Sequence, residues 1–238
     1  MPSNPALNLD ALRRSIRVLE RLTALRDRLP ILSGEEAIDD ALPWRGLARD
    51  GLHEIGGDGA APFGFLAGLI RRVTGDGGTI LWCRSKGTAR TTGVPYGPGL
   101  APFGLSPGQI LFAKTAHPVE TLWAMEEGLR CGRLAAVVGE GVSPDLTASR
   151  RLQLAAEATG TPAFVVVPPT SKPTLSTALT RWRVTAELSR GRSPRWRLDL
   201  WRCRGGNTLE WIVEWDEQAL RFRLATALAD RTPAAGAG

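Results

Sequence analysis

The chain of 238 residues has few of the side chains that most often bind metal ions. It contains 3 cysteines and 2 histidines. The cysteines, Cys83, Cys131 and Cys203, form no Cys-x-x-Cys pair, and neither His53 nor His117 has a cysteine or a paired carboxylate at ligand spacing. The sequence therefore indicates neither a disulfide framework nor a metal site, and both histidines are expected to have no chemical role.

Long apolar runs are absent too. No run approaches the roughly 20 residues that a membrane-spanning helix needs. The N-terminal segment MPSNPALNLDALRRS also lacks the charged-then-apolar pattern of a secretory signal. Hydrophobic residues make up 43% of the chain and charged residues 23%, as is typical of a soluble domain with a full core. The expectation is a cytoplasmic protein without membrane contact.

Lysine is scarce, with Lys86, Lys114 and Lys172 the only three. Arginine therefore supplies most of the positive charge, which leaves a net charge of +6 and an isoelectric point near 10.0. Such a charge is compatible with an anionic partner but does not identify one. Because arginine enrichment can also follow coding bias, charge alone gives nucleic-acid binding only modest support.

Residues 9–28 have the period of an amphipathic helix. Apolar residues recur at steps of three and four, and arginines occupy the other flank. Asn8 is a suitable N-cap, and Pro30 ends the run. Two interpretations stay open, a helix packed on its own domain and an arm that docks on another molecule. The apolar stripe consists of Leu9, Leu12, Ile16, Leu19 and Leu22.

Between Ile31 and Val167 short apolar strands alternate with helical stretches near residues 64–74, 118–131 and 147–159. This alternation predicts a parallel sheet with helices on both faces. The Gly/Pro-rich segment 86–108 is expected to be a loop with one short helical turn in its last part. After Pro169 the pattern changes to period two with turn residues between the strands, which predicts an antiparallel meander.

The predicted fold class is therefore α/β, with a mostly parallel sheet flanked by helices and extended by an antiparallel C-terminal meander. An amphipathic helical arm at 1–30 precedes the core at 31–228, and residues 229–238 are expected to be a disordered tail. Each strand of the meander has one apolar face that is predicted to pack inward. These faces carry Trp182, Val184 and Ala186, then Trp196, Leu198 and Leu200, and then Trp211, Val213 and Trp215.

The segment HEIGGDGAAPFGFLAG, residues 53–68, stands where a phosphate-binding loop would stand, between an apolar strand and an apolar helix. Such a loop works because backbone N–H groups converge on the phosphates, a lysine reaches the terminal ones and a Ser or Thr hydroxyl holds magnesium. The residues after the glycines are Ala60, Ala61, Pro62, Phe63 and Gly64. The loop context is present, and its lysine and hydroxyl are missing.

Over about residues 9–225 the chain resembles the core of the RecA recombinases. It resembles more closely the ImuA family, which are RecA-like accessory proteins of SOS mutagenesis with a degenerate ATP site. The resemblance makes residues 31–228 a RecA-like core. It rests on several segments together: GLHEI, LWAMEEGLRCGRLAAVVGE, SRRLQLAAEATG, TRWRV, PRWRLDLWRCRGG and VEWD.

The resemblance to RecA also implies where nucleotide chemistry has been lost. Hydrolysis of ATP depends almost entirely on charge stabilisation and positioning, so loss of all the charged groups removes it. We expect no catalytic residue, no cofactor and no metal. Gly56 and Gly57 belong to the loop itself. The resemblance places Phe63 at the position of the family's lysine and Gly64 at the position of its magnesium-binding hydroxyl. It places Ser85 at the position of the catalytic glutamate and Gly139 at the position of the aspartate, with Glu140 next to it.

The ImuA resemblance implies a non-enzymatic adaptor in SOS-induced, error-prone translesion DNA synthesis. Its implied partners are RecA and ImuB, and through ImuB the error-prone polymerase and the sliding clamp. In RecA an N-terminal helix contacts the next subunit, so the candidates for the RecA side are Leu12, Ile16, Leu19 and Leu22. The alternative is a SulA-like cell-division inhibitor that also lacks ATPase activity, against which the chain length and the Trp-rich meander argue.

Tryptophan and arginine are concentrated between residues 181 and 215, and both are enriched at binding hot spots. Trp201 lies on the opposite strand face from Leu198 and Leu200, so it is predicted to be exposed. Together with Arg202 and Arg204 it is the candidate for the ImuB side. A weak DNA contact would use Arg181, Arg183, Arg195 and Arg197. The competing interpretation, which the sequence favours slightly, is a solvated strand face that protects sheet edges.

Overall fold

Nine strands form one mixed sheet in the computed structural model, which describes residues 29–75, 77–93, 97–169, 174–189, 191 and 193–225. The strand order is β3-β2-β4-β5-β1-β6-β7-β8-β9, parallel from β3 to β6 and antiparallel from β6 to β9. The predicted α/β class and the change from parallel to antiparallel pairing are therefore confirmed. The strands are β1 Leu52–Gly57, β2 Ile80–Ser85, β3 Ile110–Thr115, β4 Ala136–Glu140, β5 Ala163–Val166, β6 Thr180–Ala186, β7 Arg195–Cys203, β8 Leu209–Asp216 and β9 Arg221–Leu224.

The three predicted core helices are present within a few residues of their predicted bounds. They are α2 Ala61–Thr74, α5 Pro118–Cys131 and α6 Leu146–Thr159. The side chain of Asp145 caps α6 by accepting a hydrogen bond from the backbone N–H of Ala148 at 2.7 Å. A short helix α1, Glu36–Asp39, precedes β1.

The segment 86–108 differs from the predicted loop. It contains helix α3 Lys86–Thr92, helix α4 Gly97–Leu100 and 3-10 turns at Ala101–Phe103 and Pro107–Gln109. The physical reason for α3 lies just before it, since the hydroxyl of Ser85 accepts a hydrogen bond from the backbone N–H of Thr88 at 3.1 Å. This N-cap starts a helix that the Gly and Thr content does not predict.

The helices cover the two faces of the sheet unequally. Helix α2 packs on one face, over β1, β4, β5 and β6, and its core extends to the indoles of Trp182, Trp196 and Trp215. Helices α5 and α6 pack on the other face around Met125 and Leu129, over β1 to β5. Strands β2, β4 and β5 are buried along their whole length, as their continuous apolar sequences predict.

The first described residues, near Ile31 and Ser33, lie beside β9. Ile31 forms an isolated bridge with Leu47, and the carbonyl of Ser33 accepts the backbone N–H of Phe222 at 3.2 Å. The predicted N-terminal helix with Leu12, Ile16, Leu19 and Leu22, and the predicted tail at 229–238, lie outside the described residues. Among the described helices none is both long and apolar enough to cross a bilayer.

Candidate functional site

The loop that the resemblance interprets as a degenerate phosphate loop connects the end of β1 to the start of α2. Gly57 ends the strand with φ of 141°, in a conformation that favours glycine, and a Cβ there would overlap the carbonyl of Val184 on β6. Asp58, Gly59 and Ala60 follow, and α2 begins at Ala61. The backbone path of the loop is therefore fixed by the close approach of two neighbouring strands.

The first turn of α2 differs from a phosphate loop in its backbone donors and in the space at Gly64. Pro62 has no backbone N–H, and the N–H of Gly64 donates to the carbonyl of Ala60 at 3.0 Å. A Cβ on Gly64 would lie 2.6 Å from Cζ2 of Trp196, which is buried on β7. The position that the resemblance assigns to the magnesium-binding hydroxyl is thus closed by an indole ring.

A side chain from another element also occupies the space at the end of β4. A Cβ on Gly139 would overlap the Sδ atom of Met125 on α5, so a side chain there would require Met125 to move. The neighbouring Glu140 is only 2% exposed and its carboxylate has three partners. It accepts hydrogen bonds from Nε1 of Trp82 at 2.7 Å and from the hydroxyl of Thr92, and it lies 3.4 Å from Nη2 of Arg84.

Ser85, at the position of the catalytic glutamate, is buried and serves as the N-cap of α3. Its hydroxyl also lies 3.0 Å from that of Thr88. The degenerate positions therefore come together at the carboxyl ends of β1, β2 and β4, and each of them has a local packing or capping role.

A cavity of about 780 Å³ lies in front of the loop, and we call it the loop cavity. It is bounded by the first half of α2, by α3 and α4, and by the connection between β6 and β7. Its walls are mostly apolar, and the buried Arg84 and Glu140 also line it. The apolar wall residues are Phe63, Ala67, Ile70, Leu100, Phe103 and Trp196.

Two of the four arginines proposed for DNA contact are inside the protein. Arg181 and Arg195 have side chains only 8% and 5% exposed. Nε of Arg181 lies 2.7 Å from Oε2 of Glu54, and Nη1 of Arg195 lies 3.5 Å from Oε1 of Glu214. Both guanidinium groups form internal ion pairs and have little contact with solvent, which does not favour a DNA contact at these two positions.

The other two arginines reach solvent but face carboxylates. Arg183 lies 3.9 Å from Asp199, and Arg197 pairs with Glu187 at 2.8 Å and with Glu210 at 2.6 Å. The contacts of Arg197 raise its pKa further above the usual value, chiefly through the hydrogen bond that its Nε donates to Glu187. The open face of the meander alternates in charge and is not a continuous basic track.

Trp201 is half-buried and is not the exposed indole that strand alternation predicts. The guanidinium carbon of Arg181 lies 4.3 Å from the centre of its ring. The pairing of β6 with β7 shifts register between Arg181 and Trp182, which changes how the two strands present their side chains. Arg202 and Arg204 are exposed, as expected for a contact surface.

The sequence interpretation allowed for a buried His53 but did not predict its hydrogen bonds. His53 is fully buried, with Nδ1 2.8 Å from the hydroxyl of Thr180 and Nε2 2.8 Å from the carbonyl of Ala48. Burial lowers its pKa to about 4. The pairs of Glu54 with Arg181 and of Arg84 with Glu140 were missed as well. The only signal in the sequence is a charged residue inside an otherwise apolar strand, as in LHEI and ILWCRS.

Metal and thiol chemistry have little support in the described part of the chain. It contains no group of three or more His, Cys, Asp or Glu side chains that could hold a metal ion. The three cysteines are free, and burial raises the pKa of Cys83 to about 12, which keeps this thiol protonated.

Comparison with known proteins gives one clear relationship. The chain is 36% identical, over 240 aligned residues, to Protein ImuA from two strains of Caulobacter vibrioides. The alignment covers 88% of this chain and 95% of the relative. No protein-family model matches the chain.

Proposed function

This chain belongs to the ImuA family, and from that premise we propose that it is a non-enzymatic adaptor in error-prone translesion synthesis after DNA damage. In this role it links RecA to ImuB, and through ImuB to the error-prone polymerase and the sliding clamp. Family membership supports the connection with DNA damage and mutagenesis. The adaptor role and the named partners are the proposal.

The observation that carries the proposal is the closed phosphate loop. Trp196 fills the space at Gly64, Met125 fills the space at Gly139, and Phe63 supplies no charge. Glu140, the one carboxylate at the end of β4, is held by Trp82, Thr92 and Arg84. Since nucleotide hydrolysis needs a free carboxylate and a bound metal, this arrangement supports a binding role over catalysis.

Partner contacts are proposed at the two ends of the chain. The apolar stripe Leu12, Ile16, Leu19 and Leu22 is proposed for RecA. Trp201, with the exposed Arg202 and Arg204 beside it, is proposed for ImuB, because an indole flanked by guanidinium groups combines apolar area with fixed hydrogen-bond donors. The two sites are on different elements, so RecA and ImuB can be tested separately.

Calorimetric titration of the purified protein with Mg-ATP tests the lost nucleotide site. We expect no heat of binding at micromolar concentrations and no ATP hydrolysis. A micromolar or tighter dissociation constant, equivalent to about −8 kcal/mol, would contradict the proposal.

Co-purification with ImuB tests the adaptor role through Trp201→Ala. We expect this variant to lose ImuB and to keep RecA. Trp123→Ala is the matched control, because Trp123 is 56% exposed on α5, away from the meander, and its removal should keep both partners. Circular dichroism confirms that each variant is folded. Normal ImuB binding by folded Trp201→Ala would exclude this surface, and retention of the division protein FtsZ instead of RecA would favour the SulA-like alternative.

A further inference from the structure

We propose that a pocket between α6 and the end of β7 binds an acidic side chain of the protein that contacts Trp201. This inference rests on the proposed function, in which that protein is ImuB. The occupant is the carboxylate of an Asp or Glu residue that has an apolar residue close to it in the same segment. We call this site the α6 pocket, and it extends the proposed ImuB surface from the meander onto a helix that covers the parallel strands.

Three elements that are far apart in the chain form the α6 pocket, which has a volume of about 200 Å³. The backbone N–H of Arg204, the residue after β7, donates to the carbonyl of Leu179 at 2.8 Å. The backbone N–H of Thr177 donates to the hydroxyl of Ser149 on α6 at 3.1 Å. These hydrogen bonds fix the end of β7 and the residues before β6 against α6. The lining consists of Arg150, Gln153, Leu154, Glu157, Thr177 and Arg204.

The lining of the α6 pocket carries two positive charges and one negative charge. Arg150 and Arg204 are exposed, and neither has an ion-pair partner in the part of the chain that the structure describes. The carboxylate of Glu157 accepts a hydrogen bond from Nε2 of Gln153 at 2.8 Å, and Oε1 of Gln153 accepts the backbone N–H of Leu52 at 2.9 Å. The acidic lining residue is therefore held against its own helix. One further carboxylate balances the remaining charge, and guanidinium groups bind carboxylates through strong, charge-assisted hydrogen bonds.

An exposed apolar side chain lies beside the arginines and favours a peptide over DNA. Leu154 is 52% exposed and lines the pocket one helical turn after Arg150. A run of phosphates would gain nothing from this leucine and would be repelled by Glu157. Arginine next to apolar area is, in contrast, typical of protein–protein interfaces. The α6 pocket therefore fits a protein segment that is both acidic and apolar.

The residues before β6 connect the α6 pocket to the surface around Trp201. The carbonyl of Thr174 accepts a hydrogen bond from Nη1 of Arg181 at 2.9 Å, and the guanidinium of Arg181 lies over the indole of Trp201. Thr177, three residues further along the chain, lines the α6 pocket together with Arg204. Three residues of backbone span at most roughly 10 Å. A short segment of one partner can therefore contact both places at once.

The affinity of the full chain for purified ImuB, measured by biolayer interferometry, tests the proposal through Arg150→Glu. This change replaces one of the two guanidinium groups by a negative charge, and we expect the dissociation constant to rise about tenfold or more. Arg150 is exposed near the start of α6, so the helix should stay folded, which circular dichroism checks. Arg150→Gln, which should also weaken binding, serves if Arg150→Glu does not fold. Arg133→Glu is the matched control, because Arg133 is exposed between α5 and β4, lies outside the pocket and should leave the affinity unchanged.

Leu154→Ser tests the apolar part of the same site. It removes the exposed side chain beside the arginines, and we expect the affinity for ImuB to fall roughly threefold to tenfold. Ala158→Ser is its matched control, because Ala158 is exposed on the same helix and lies outside the pocket.

The outcomes separate this inference from the proposed function. Loss of ImuB by Trp201→Ala with unchanged affinity in Arg150→Glu would keep the proposed function and overturn the α6 pocket. Weaker binding by Arg150→Glu with normal binding by Trp201→Ala would support the pocket and remove Trp201 from the ImuB surface. Unchanged affinity in both variants would overturn both contacts. If Arg150→Glu weakens the binding of duplex DNA and leaves the affinity for ImuB unchanged, the pocket binds phosphate and the proposal is wrong.

Discussion

His53 is held inside the fold as a neutral imidazole with a defined tautomer. The carbonyl of Ala48 can only accept, so Nε2 carries the proton and Nδ1 accepts from the hydroxyl of Thr180. The Thr180 oxygen in turn accepts Nε1–H of Trp182 at 2.7 Å. A proton on Nδ1 would place a positive charge at a fully buried position and would take away the acceptor of the Thr180 hydroxyl proton. This chain of hydrogen bonds joins β1 to β6 at the start of the antiparallel half of the sheet.

Acidification should therefore destabilise the protein through His53. The pKa is lowered by burial from 6.5 to about 4, so the unfolded chain binds a proton that the folded chain excludes between these values. The contribution is fully present above pH 6.5 and is lost as the pH falls towards 4. Its size is about 3 kcal/mol. Urea unfolding at pH 7 and pH 4.5 measures it.

His53→Gln provides the control for this pH dependence. Glutamine can donate to Ala48 and accept from Thr180 without titrating, so the variant should be less stable at pH 7 and should lose less stability on acidification. An equal loss in both proteins would assign the acid sensitivity to carboxylates elsewhere.

Gly64 offers a second test at the scale of one residue. In a helix interior, replacing glycine by alanine usually stabilises by up to about 1 kcal/mol. At Gly64 the new methyl group meets Trp196 at 2.6 Å, and overpacking of this kind costs about 1–3 kcal/mol. Gly64→Ala should therefore lower the free energy of unfolding by about 1 kcal/mol.

Two further variants make the Gly64 prediction specific. Gly77→Ala, in open space, should change stability by less than about 0.5 kcal/mol. Combining Gly64→Ala with Trp196→Leu should show favourable coupling, because the smaller side chain removes the clash. Additive effects in this double-mutant cycle would show that Trp196 does not restrict Gly64.

The N-terminal helix is the element on which the RecA contact is predicted. Ile16→Glu or Leu19→Glu places a charge in the apolar stripe, and an interfacial residue of this kind can contribute more than about 2 kcal/mol to binding. If the helix docks on RecA, the variants keep the thermal transition of the core and lose RecA in a pull-down experiment.

Ala24→Glu adds the same charge on the arginine flank of the predicted helix, outside the stripe, and should keep RecA bound. Unfolding of Ile16→Glu would instead identify a helix that packs on its own domain. Normal RecA binding by folded Ile16→Glu would remove the N-terminal helix from the interface.

Positive charge is unevenly distributed over the whole molecule. In the meander, Arg183, Arg195 and Arg197 are paired with carboxylates. Residues 1–28, in contrast, carry six arginines against three acidic residues. These three arginines are therefore poor candidates for a phosphate track.

The salt dependence of duplex DNA binding tests this distribution. Each phosphate contact contributes roughly one log unit of affinity per log unit of salt. We expect the double variant Arg183→Ala and Arg197→Ala to leave this slope unchanged, whereas Arg14→Ala with Arg17→Ala, the matched pair in the N-terminal segment, should reduce it. A slope reduced by about two units in the first pair would restore the meander as a DNA-binding face.

Much of the fold could be predicted from the sequence because it depends on local patterns. The buried strands β2, β4 and β5 are continuous apolar runs, and helix α5 has its predicted bounds. The meander follows from alternation with period two. The absence of the lysine, the hydroxyl and the carboxylates can likewise be recognised from the amino-acid sequence. Helix α3 departs from this rule, because its start depends on one capping hydroxyl.

Only the tertiary structure decided which side chains surround the loop after β1 and the end of β4. Trp196 against Gly64 and Met125 against Gly139 join residues that are far apart in the chain, and no local pattern predicts either contact. The same holds for Glu54 with Arg181, which removed one arginine from the expected basic face. The sequence determined which groups are present through local periodicity and residue type. Their neighbours, and so their charge state and accessibility, were set by the packing of distant strands and helices.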